Sequence, residues 1–485
     1  MTQAAAQQTS RTAQTTIGQQ LHHSPVVKAA AAQIVNELRI KSAQITDVRP
    51  AKPELKQSYE SLLERAGAVR GRGLLYPYIG SGIGNGALVE LADGSVKWDM
   101  ICGIGVHFFG HSDPELIEIG LLSGLDDILK HGNLSSNFEA YSFMETLLGA
   151  AGRSSRLKHC YLSTSGAMAN ENALKVCYQK HAPASRVIAF KDCFMGRSVT
   201  MAQIGDTPEY RQGLPLNTLV DYMPFFNEHE ANRVGLQAYI EGAVAKLTEY
   251  LDRYPGQHAC FIFELVQGEG GFNVGNREFF KALMERCRER KVAVWVDEIQ
   301  TFGRLPAMFA YEYFNLGEYV DVLTVGKMTQ ACATLWTADM NPKGGLLSGT
   351  FTGEGVSFRT GQRVIERLRD GGYYGPQGLI EKHHALFREQ VEQLMKRHAA
   401  WFPPVPGLDS LVGGLGGMMK FTPFGGRKDK INALCKACFD EGVILFYCGH
   451  GPYHVRMLPP LGVMKEADWP RVFECIERAM AKVAD

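Results

Sequence analysis

Short, unbroken runs of apolar residues recur between residues 100 and 345, and segments with helical spacing separate them. The runs are CYLST (160–164), RVIAF (186–190), ACFIFEL (259–265), VAVWVDE (292–298) and VDVLTVGK (320–327). Such runs are typical of strands buried on both faces of a parallel sheet. The segment 276–291 predicts one of the intervening helices, with Asn276 as its N-cap. The alternation predicts a large α/β domain with a mostly parallel sheet over residues 101–345.

The pattern changes on either side of this region. Residues 346–485 hold a helix pair, the run GLGGMMKF, a helix, two further apolar runs and a final helix, which predicts a smaller α+β domain. The boundary is placed at the glycine pair Gly344 and Gly345. The first 20 residues are rich in Gln, Thr and Ala and nearly uncharged, so residues 1–25 are predicted to be a flexible N-terminal tail.

Composition narrows the class of protein. The 485 residues are 45% hydrophobic and 21% charged, enough to bury a large core without disulfides or metals. Lys+Arg and Asp+Glu both number 51, a balance that argues against nucleic-acid binding, and no apolar run approaches the about 20 residues of a membrane span. Eleven irregularly spaced cysteines indicate reduced thiols in a cytoplasmic enzyme. The one C-x-x-C, Cys435 to Cys438, lacks the second pair that a zinc site needs, so no metal is expected.

Three candidate groups stand where predicted strands end, the edge at which α/β sheets bind ligands. Asp297 ends one strand, Lys327 follows the next, and Ser165, Gly166 and Ala167 open a helix after a third. These are the groups that pyridoxal phosphate requires. A lysine amine binds it covalently, a carboxylate keeps its ring nitrogen protonated, and a helix N-terminus offers N–H groups to the phosphate.

The order of these motifs resembles that of class III, omega-type aminotransferases, which depend on pyridoxal phosphate and have fold type I. The resemblance covers roughly residues 70 to 480. It rests on the segments ADGSVKWDMICGIGVHFFGHSDPEL (92–116), STSGAMANENALK (163–175), FKDCFMGRS (190–198), FIFELVQGEGG (261–271), VDEIQTFGR (296–304), VLTVGK (322–327), GTFTG (349–353) and VRMLPPL (455–461). It implies a large domain with a mostly parallel sheet, and a small domain built from the C-terminal part together with residues 26–100.

The resemblance also implies roles for individual residues. Lys327 corresponds to the lysine that binds the cofactor and Asp297 to the partner of the ring nitrogen. Further cofactor contacts are implied for Ser165, Gly166, Ala167, Phe194, Met195 and Gln300, and Thr350 would reach the phosphate of a partner subunit in a homodimer with shared active sites. Substrate contacts are implied for Glu264 and Arg456. Arg456 would bind a substrate carboxylate or brace its strand; Glu264 would neutralise Arg456 or another arginine, or be a buried structural acid.

Several residues depart from the family pattern. Ala167 and Met168 replace a hydroxyl and an acid in the phosphate-binding motif, and Met195 replaces a histidine. Leu265 replaces a proline, Glu354 replaces an asparagine, and one glycine is missing between Thr301 and Phe302. None of these changes removes the lysine or the ring partner, so the resemblance still implies cofactor chemistry, while substrate preference is open to change.

The stretch from Lys327 to Gln330, K-M-T-Q, resembles the lysine 6-aminotransferase branch. We therefore expect transfer of a terminal amino group, with L-lysine as the favoured donor, to a 2-oxo acid such as 2-oxoglutarate by a ping-pong mechanism. Two alternatives remain open: another pyridoxal-phosphate enzyme on this fold, such as a decarboxylase or aminomutase, and a non-catalytic ligand-binding relative. A dinucleotide oxidoreductase is disfavoured because the glycine-rich segment 80–86 lacks a strand–helix context.

Overall fold

The structure is a computed structural model that describes residues 16–127 and 130–484. Helices and strands alternate through most of the chain. The helices are α1 (Ile17–His23), α2 (Pro25–Ser42), α3 (Lys56–Arg70), α4 (Cys102–Gly105), α5 (Pro114–Ser123), α6 (Phe138–Ala151), α7 (Gly166–His181), α8 (Val199–Ile204), α9 (Pro208–Arg211), α10 (Glu228–Val234), α11 (Leu236–Arg253), α12 (Arg277–Glu289), α13 (Ala310–Tyr313), α14 (Gly355–Asp370), α15 (Leu379–Arg397), α16 (Lys428–Glu441) and α17 (Asp468–Ala484).

The strands form one large sheet and three smaller ones. They are β1 (Gly80–Asn85), β2 (Leu88–Leu91), β3 (Val96–Asp99), β4 (Lys130–His131), β5 (Leu157–Ser163), β6 (Arg186–Phe190), β7 (Leu219–Met223), β8 (His258–Phe263), β9 (Ala293–Asp297), β10 (Val322–Val325), β11 (Cys332–Thr337), β12 (Gly353–Glu354), β13 (Val412–Leu415), β14 (Met418–Phe421), β15 (Val443–Ile444), β16 (Phe446–Cys448) and β17 (His454–Met457). The large sheet has seven strands in the order β5-β11-β10-β9-β8-β6-β7. Strand β11 runs antiparallel to both of its neighbours, while β10, β9, β8, β6 and β7 pair in parallel. The predicted α/β architecture is confirmed.

Both faces of the central strands are covered, which explains their unbroken apolar sequences. In β8, Phe261 and Phe263 pack into one hydrophobic cluster, whereas Cys260 and Ile262 pack into another on the opposite face. Successive side chains of a strand point to opposite faces, so a strand between two cores is apolar at successive positions rather than alternating apolar and polar. Helix α7 lies across one face and contacts β8, β10 and β11, which places its first residues at the edge where the strands end.

Two four-stranded sheets complete the fold outside the large sheet. One, in the order β13-β14-β17-β16, is antiparallel throughout. The other, β1-β2-β3-β15, joins three strands from the first hundred residues to a strand near the C-terminus, and β3 and β15 are parallel. Helix α14 follows the predicted boundary at residue 345, yet it packs against α5 and α6, so it links the two predicted domains.

One part of the predicted N-terminal tail is ordered as a helix. Residues 1–15 lie outside the described residues, but Ile17–His23 form α1 within the segment 1–25 that was predicted to be flexible. Thr16 and Gln19 form a capping box that satisfies free N–H groups at the start of this helix. His22 then bonds Asp126 at 2.8 Å, which ties α1 to the large domain. The composition of the segment does not predict either contact.

Within the described part of the chain, no helix is long and apolar enough to cross a membrane.

Candidate active site

The predicted acid and lysine meet at the edge of the large sheet. Strands β9 and β10 are parallel neighbours, and Asp297, the last residue of β9, is the register partner of Thr324. Lys327 follows three residues later and begins a short 3₁₀ turn, Lys327–Thr329. Its φ of 53° lies in the left-handed region, which residues with a side chain seldom adopt and which occurs most often at functional sites.

Asp297 is buried, with 4% of its surface exposed, and both of its hydrogen-bond donors are neutral. The Asn170 amide donates to Oδ2 at 2.8 Å and the Ile299 N–H donates to Oδ1 at 2.9 Å. Burial raises the pKa of the Asp297 carboxyl above its ordinary value, against the effect of these two donors and of the Lys327 charge. A buried carboxylate without a paired cation is poised to accept one from a ligand.

Lys327 is half-buried beside three acids. Burial lowers the pKa of its amine, while the carboxylates of Glu269, Asp297 and Glu264 oppose that shift. A lowered pKa increases the fraction of unprotonated amine, which is the nucleophilic and basic form. No hydrogen bond holds the Lys327 Nζ within the described part of the chain, so its lone pair is available for a bound molecule.

The start of α7 forms a crowded backbone cradle. Ser165 is the N-cap, and its hydroxyl accepts a hydrogen bond from the Met168 N–H at 3.2 Å. A Cβ on Gly166 would lie 2.9 Å from Ile299 Cδ1. Gly196 has a φ of 123°, and a Cβ there would lie 2.8 Å from the Ala167 side chain. The positive φ and the contact with Ala167 require glycine at residue 196, while a side chain at residue 166 would have to displace Ile299. Backbone N–H groups, together with the helix dipole, are what this cradle offers an anion.

The predicted residues around the cofactor ring surround this cradle. Phe194 is half-buried and packs edge-on against Tyr210, with ring centroids 5.7 Å apart. Met195 is buried, and its carbonyl accepts a hydrogen bond from the Asn170 amide at 2.8 Å. Gln300 is also buried, and its Oε1 has no hydrogen-bond partner among the described residues. An unsatisfied amide oxygen in a buried site indicates a position that a ligand completes.

Arg456 pairs with a different acid from the one that the sequence singled out. Its guanidinium is fully buried and donates to both carboxylate oxygens of Glu269, at 2.7 and 3.1 Å. Although burial opposes ionisation, the charge of Arg456 holds the pKa of Glu269 below its ordinary value. The acid that pairs with Arg456 is therefore not Glu264 but Glu269, the glutamate of the V-Q-G-E-G-G segment.

Glu264 bonds backbone groups within the large domain instead. It accepts hydrogen bonds from the Gly268 N–H at 2.8 Å and from the Phe194 N–H at 3.5 Å. Burial, reinforced by the Asp297 charge, raises the pKa of Glu264 to about 8. Glu264 thus holds the loop after β8 close to Phe194.

Thr350 is exposed, and its carbonyl packs against Gly132, next to the short strand pair of β4 and β12. Its predicted contact with the phosphate of a partner subunit concerns a second chain, and it stays a prediction.

Four residues at the site were missed from the sequence. Asn170 connects Asp297 to the Met195 carbonyl, and Glu269 covers Arg456. The Arg197 guanidinium lies 3.3 Å from the centroid of the Tyr210 ring, and its charge lowers the pKa of Glu269 in support of Arg456. All four lie in the motifs quoted above or near them, so the residue types were visible; the contacts between them were not.

These residues fit pyridoxal phosphate. Among the residues that the structure describes, the buried Asp297 carboxylate has no paired cation and the Gln300 Oε1 has no hydrogen-bond partner. Lys327 offers its amine, and the Gly166 end of α7 presents backbone N–H groups. A protonated ring nitrogen, a ring hydroxyl, an aldehyde and a phosphate are the complementary groups. Among the described residues, no cluster of His, Cys, Asp and Glu is arranged to hold a metal ion.

Known proteins share both the sequence pattern and the fold. The model of the family described as aminotransferase class-III matches residues 81–480. A 4-aminobutyrate aminotransferase from Mycobacterium tuberculosis is 28% identical over 425 residues, which cover 83% of this chain and 91% of the relative. A diaminobutyrate–2-oxoglutarate transaminase from Wolinella succinogenes is 26% identical over 394 residues, which cover 79% of this chain and 87% of the relative.

Solved structures agree with the architecture. A lysine aminotransferase from Mycobacterium tuberculosis superposes with a TM-score of 0.75 at 22% identity, over 87% of this chain and 99% of the other. An ornithine aminotransferase from Toxoplasma gondii gives a TM-score of 0.72 at 20% identity, over 88% and 95% of the two chains. At these identities the likeness establishes the fold. The family match, which spans most of the chain, establishes more: this protein belongs to the class-III aminotransferases and is a transaminase whose cofactor is pyridoxal phosphate.

Proposed function

We propose that the enzyme moves a terminal amino group from an omega-amino acid or diamine, with L-lysine as the favoured donor, to a 2-oxo acid such as 2-oxoglutarate. The observation that supports this most directly is the ion pair between Arg456 and Glu269. Arg456 can be neutralised by Glu269 or, once Glu269 moves away, can bind the carboxylate of a substrate. The two substrates differ in the same respect, because only the 2-oxo acid has a carboxylate next to the reacting carbon.

A terminal amine has no carboxylate on the carbon that reacts. With Glu269 on Arg456, the buried guanidinium is neutralised and the donor can bind without leaving an unpaired charge. A 2-oxo acid has a carboxylate at that place, and this group can displace Glu269 and bind the planar guanidinium through two hydrogen bonds. Both half-reactions can then use one pocket.

A second cation suits the far end of either substrate. Arg197 is exposed, and its guanidinium stacks on the Tyr210 ring. Its charge lowers the pKa of Glu269, so Arg197 lies near the Arg456–Glu269 pair but on the solvent side. We assign it to the carboxylate of lysine that is remote from the reacting amine, and to the distal carboxylate of 2-oxoglutarate. The curated relatives act on 4-aminobutyrate and diaminobutyrate by name, which supports the same substrate class.

The residues of this chain have separable tasks. Pyridoxal phosphate, when bound, supplies an aldehyde that accepts the amino group and a ring that withdraws electrons from the attached carbon. Asp297, held by Asn170, would keep the ring nitrogen protonated, and Phe194 would cover the ring. Once the donor amine has displaced it from the cofactor, Lys327 would act as a base and take the proton from the carbon bearing that amine. It would then return the proton to the cofactor.

The assembly that we propose is a homodimer, with Thr350 of each chain completing the phosphate site of the other. A two-fold dimer is the most frequent oligomer, and the exposure of Thr350 suits a contact between subunits.

The visible absorption spectrum tests the function. The holoenzyme is mixed with L-lysine, ornithine or 4-aminobutyrate in the absence of any acceptor, and 2-oxoglutarate is added afterwards. The cofactor band should fade with the true donor and return with the acceptor. A band that no amine changes would contradict transamination and favour another pyridoxal-phosphate reaction, such as that of a decarboxylase or aminomutase. Fading with 4-aminobutyrate alone would replace lysine as the donor.

A further inference from the structure

Lys420 is a half-buried lysine whose hydrogen bonds lead to the loop that carries Glu269. It lies on β14 directly opposite Arg456 of β17 in the antiparallel register. Its Nζ donates to the Gly271 carbonyl at 2.7 Å and to Asn273 Oδ1 at 3.3 Å. Burial lowers the pKa of Lys420. Neither of these oxygens belongs to a carboxylate, so Lys420 forms no ion pair there.

The loop in question, residues 267–273, projects from the end of β8 to the small antiparallel sheet. A bridge between Val266 and Val274 closes its base. At its tip the Glu269 carboxylate binds Arg456, and the Glu269 carbonyl accepts a hydrogen bond from the Gly449 N–H at 2.9 Å. Lys420 adds the third attachment, two residues beyond Glu269. The main chain at Glu269 and two residues beyond it is therefore held by Lys420 of the small antiparallel sheet and by Gly449, the residue that follows β16.

Lys420 and Arg456 hold different parts of the same loop. Opposite residues of an antiparallel pair have their side chains on one face, with Cβ atoms about 5 Å apart. Arg456 and Lys420 thus reach the same loop side by side, one holding the carboxylate and the other the main chain. Burying an ammonium is costly, and an apolar side chain at residue 420 would avoid that cost while losing the hold on Gly271.

We propose that Lys420 is a positioning residue that keeps Glu269 on Arg456 and so sets the preference of the enzyme for donors without a carboxylate on the reacting carbon. The inference rests on the proposed function. With the Gly271 carbonyl held, only the Glu269 side chain has to move when a carboxylate enters. Without that hold, the main chain beyond Glu269 is left with the bond from the Gly449 N–H, so Glu269 leaves Arg456 more readily and the freed guanidinium favours α-amino acids.

The test is a ratio of two specificities. For the holoenzyme, kcat/KM is measured with L-lysine, which reacts at its terminal amine, and with L-glutamate, which places an α-carboxylate on Arg456. In Lys420→Met this lysine-to-glutamate ratio should fall at least about fivefold, mainly through a higher KM for lysine, as expected for one lost hydrogen bond to a charged group. Lys97→Met is the matched control, because Lys97 is likewise shielded from solvent by burial and donates to one carbonyl, that of Phe439, at 2.8 Å, at a place remote in sequence from Glu269. Its ratio should stay within twofold of the wild type.

A double variant shows whether the effect passes through Glu269. In a Glu269→Gln background, adding Lys420→Met should change the ratio by less than twofold, because the ion pair that Lys420 supports is already gone. An unchanged ratio in Lys420→Met alone would overturn the inference, and so would an equal loss with both substrates, which is the result of general misfolding. Wild-type enzyme that transfers nothing from either donor would reject the proposed function itself.

Discussion

The amide of Asn170 joins two parts of the site, since its Nδ2 donates at 2.8 Å both to the Asp297 carboxylate and to the Met195 carbonyl. Asn170 lies on α7, one turn beyond the cradle at Gly166, while Asp297 ends β9. One side chain thus fixes the acid that would pair with the ring nitrogen relative to the helix whose N-terminus would hold the phosphate.

Replacing Asn170 should weaken cofactor binding. In Asn170→Ala, Asp297 loses a donor and becomes free to rotate, so we expect the Kd of pyridoxal phosphate to rise about tenfold, a typical effect of one charge-assisted hydrogen bond. Titration of the apoenzyme in the visible range measures it. The control is Asn172→Ala on the same helix, where the amide bonds Ser163 instead, at 3.1 Å. Equal affinities in the two variants would contradict the role of Asn170.

Lys327→Ala should abolish transamination while leaving the protein able to bind the cofactor. Loss of the covalent link and of the base should lower turnover at least about a thousandfold, and the cofactor band should shift to that of the free aldehyde. Lys175→Ala, an exposed lysine on α7, serves as the control. Turnover in Lys327→Ala within tenfold of the wild type would remove Lys327 from the mechanism.

Arg197→Met should raise the KM for substrates that have a distal carboxylate. The loss of a charged hydrogen bond predicts an increase of about ten- to a hundredfold for L-lysine and for 2-oxoglutarate, with kcat less affected. A diamine such as 1,5-diaminopentane has no carboxylate, so its KM should not change. Arg211→Met is a suitable control, because Arg211 pairs with Asp206 at 3.4 Å. A similar rise for the diamine would contradict the assignment.

The raised pKa of Glu264 predicts a pH-dependent stability. Folding raises this pKa from 4.5 to about 8, so the folded state holds a proton that the unfolded state has released. The resulting stabilisation is complete below about pH 4.5 and is lost as the pH rises through about 8, by at most about 1.4 kcal/mol per pH unit. The Tm of the apo Glu264→Gln variant, measured relative to that of the wild type, should therefore increase from pH 5 to pH 8. A constant difference, like that expected for the exposed Glu249→Gln, would contradict it.

The parts of the site that could be predicted follow from strand order alone. Asp297 and Lys327 come after consecutive apolar runs, and parallel strands bring such residues to one edge. The Arg456–Glu269 pair could not be found in this way, because it joins the small sheet to a loop of the large domain 187 positions away. Two glutamates, at 264 and 269, stand in the same motif, and only the turn of the loop after β8 determines which of them faces the arginine.

The error at the N-terminus has a different physical origin. The polar, nearly uncharged composition of residues 1–25 indicates a segment that cannot form a core, and α1 indeed buries none of its residues. It is held by a capping box and by the contact of His22 with Asp126, which are specific polar contacts that average composition does not reveal.

The pairing of β3 with β15 has a consequence for synthesis of the chain. All seven strands of the large sheet, with Asp297 and Lys327, have been translated by residue 337, so that sheet can assemble while the ribosome is still extending the C-terminal part. Strand β3 keeps one edge unpaired until Val443 of β15 has been synthesised. Lys97 likewise lacks its acceptor, the Phe439 carbonyl, which lies 342 positions further along the chain. During that interval the nascent protein displays an open strand edge, whose unpaired N–H and C=O groups can pair with a strand of another unfinished chain.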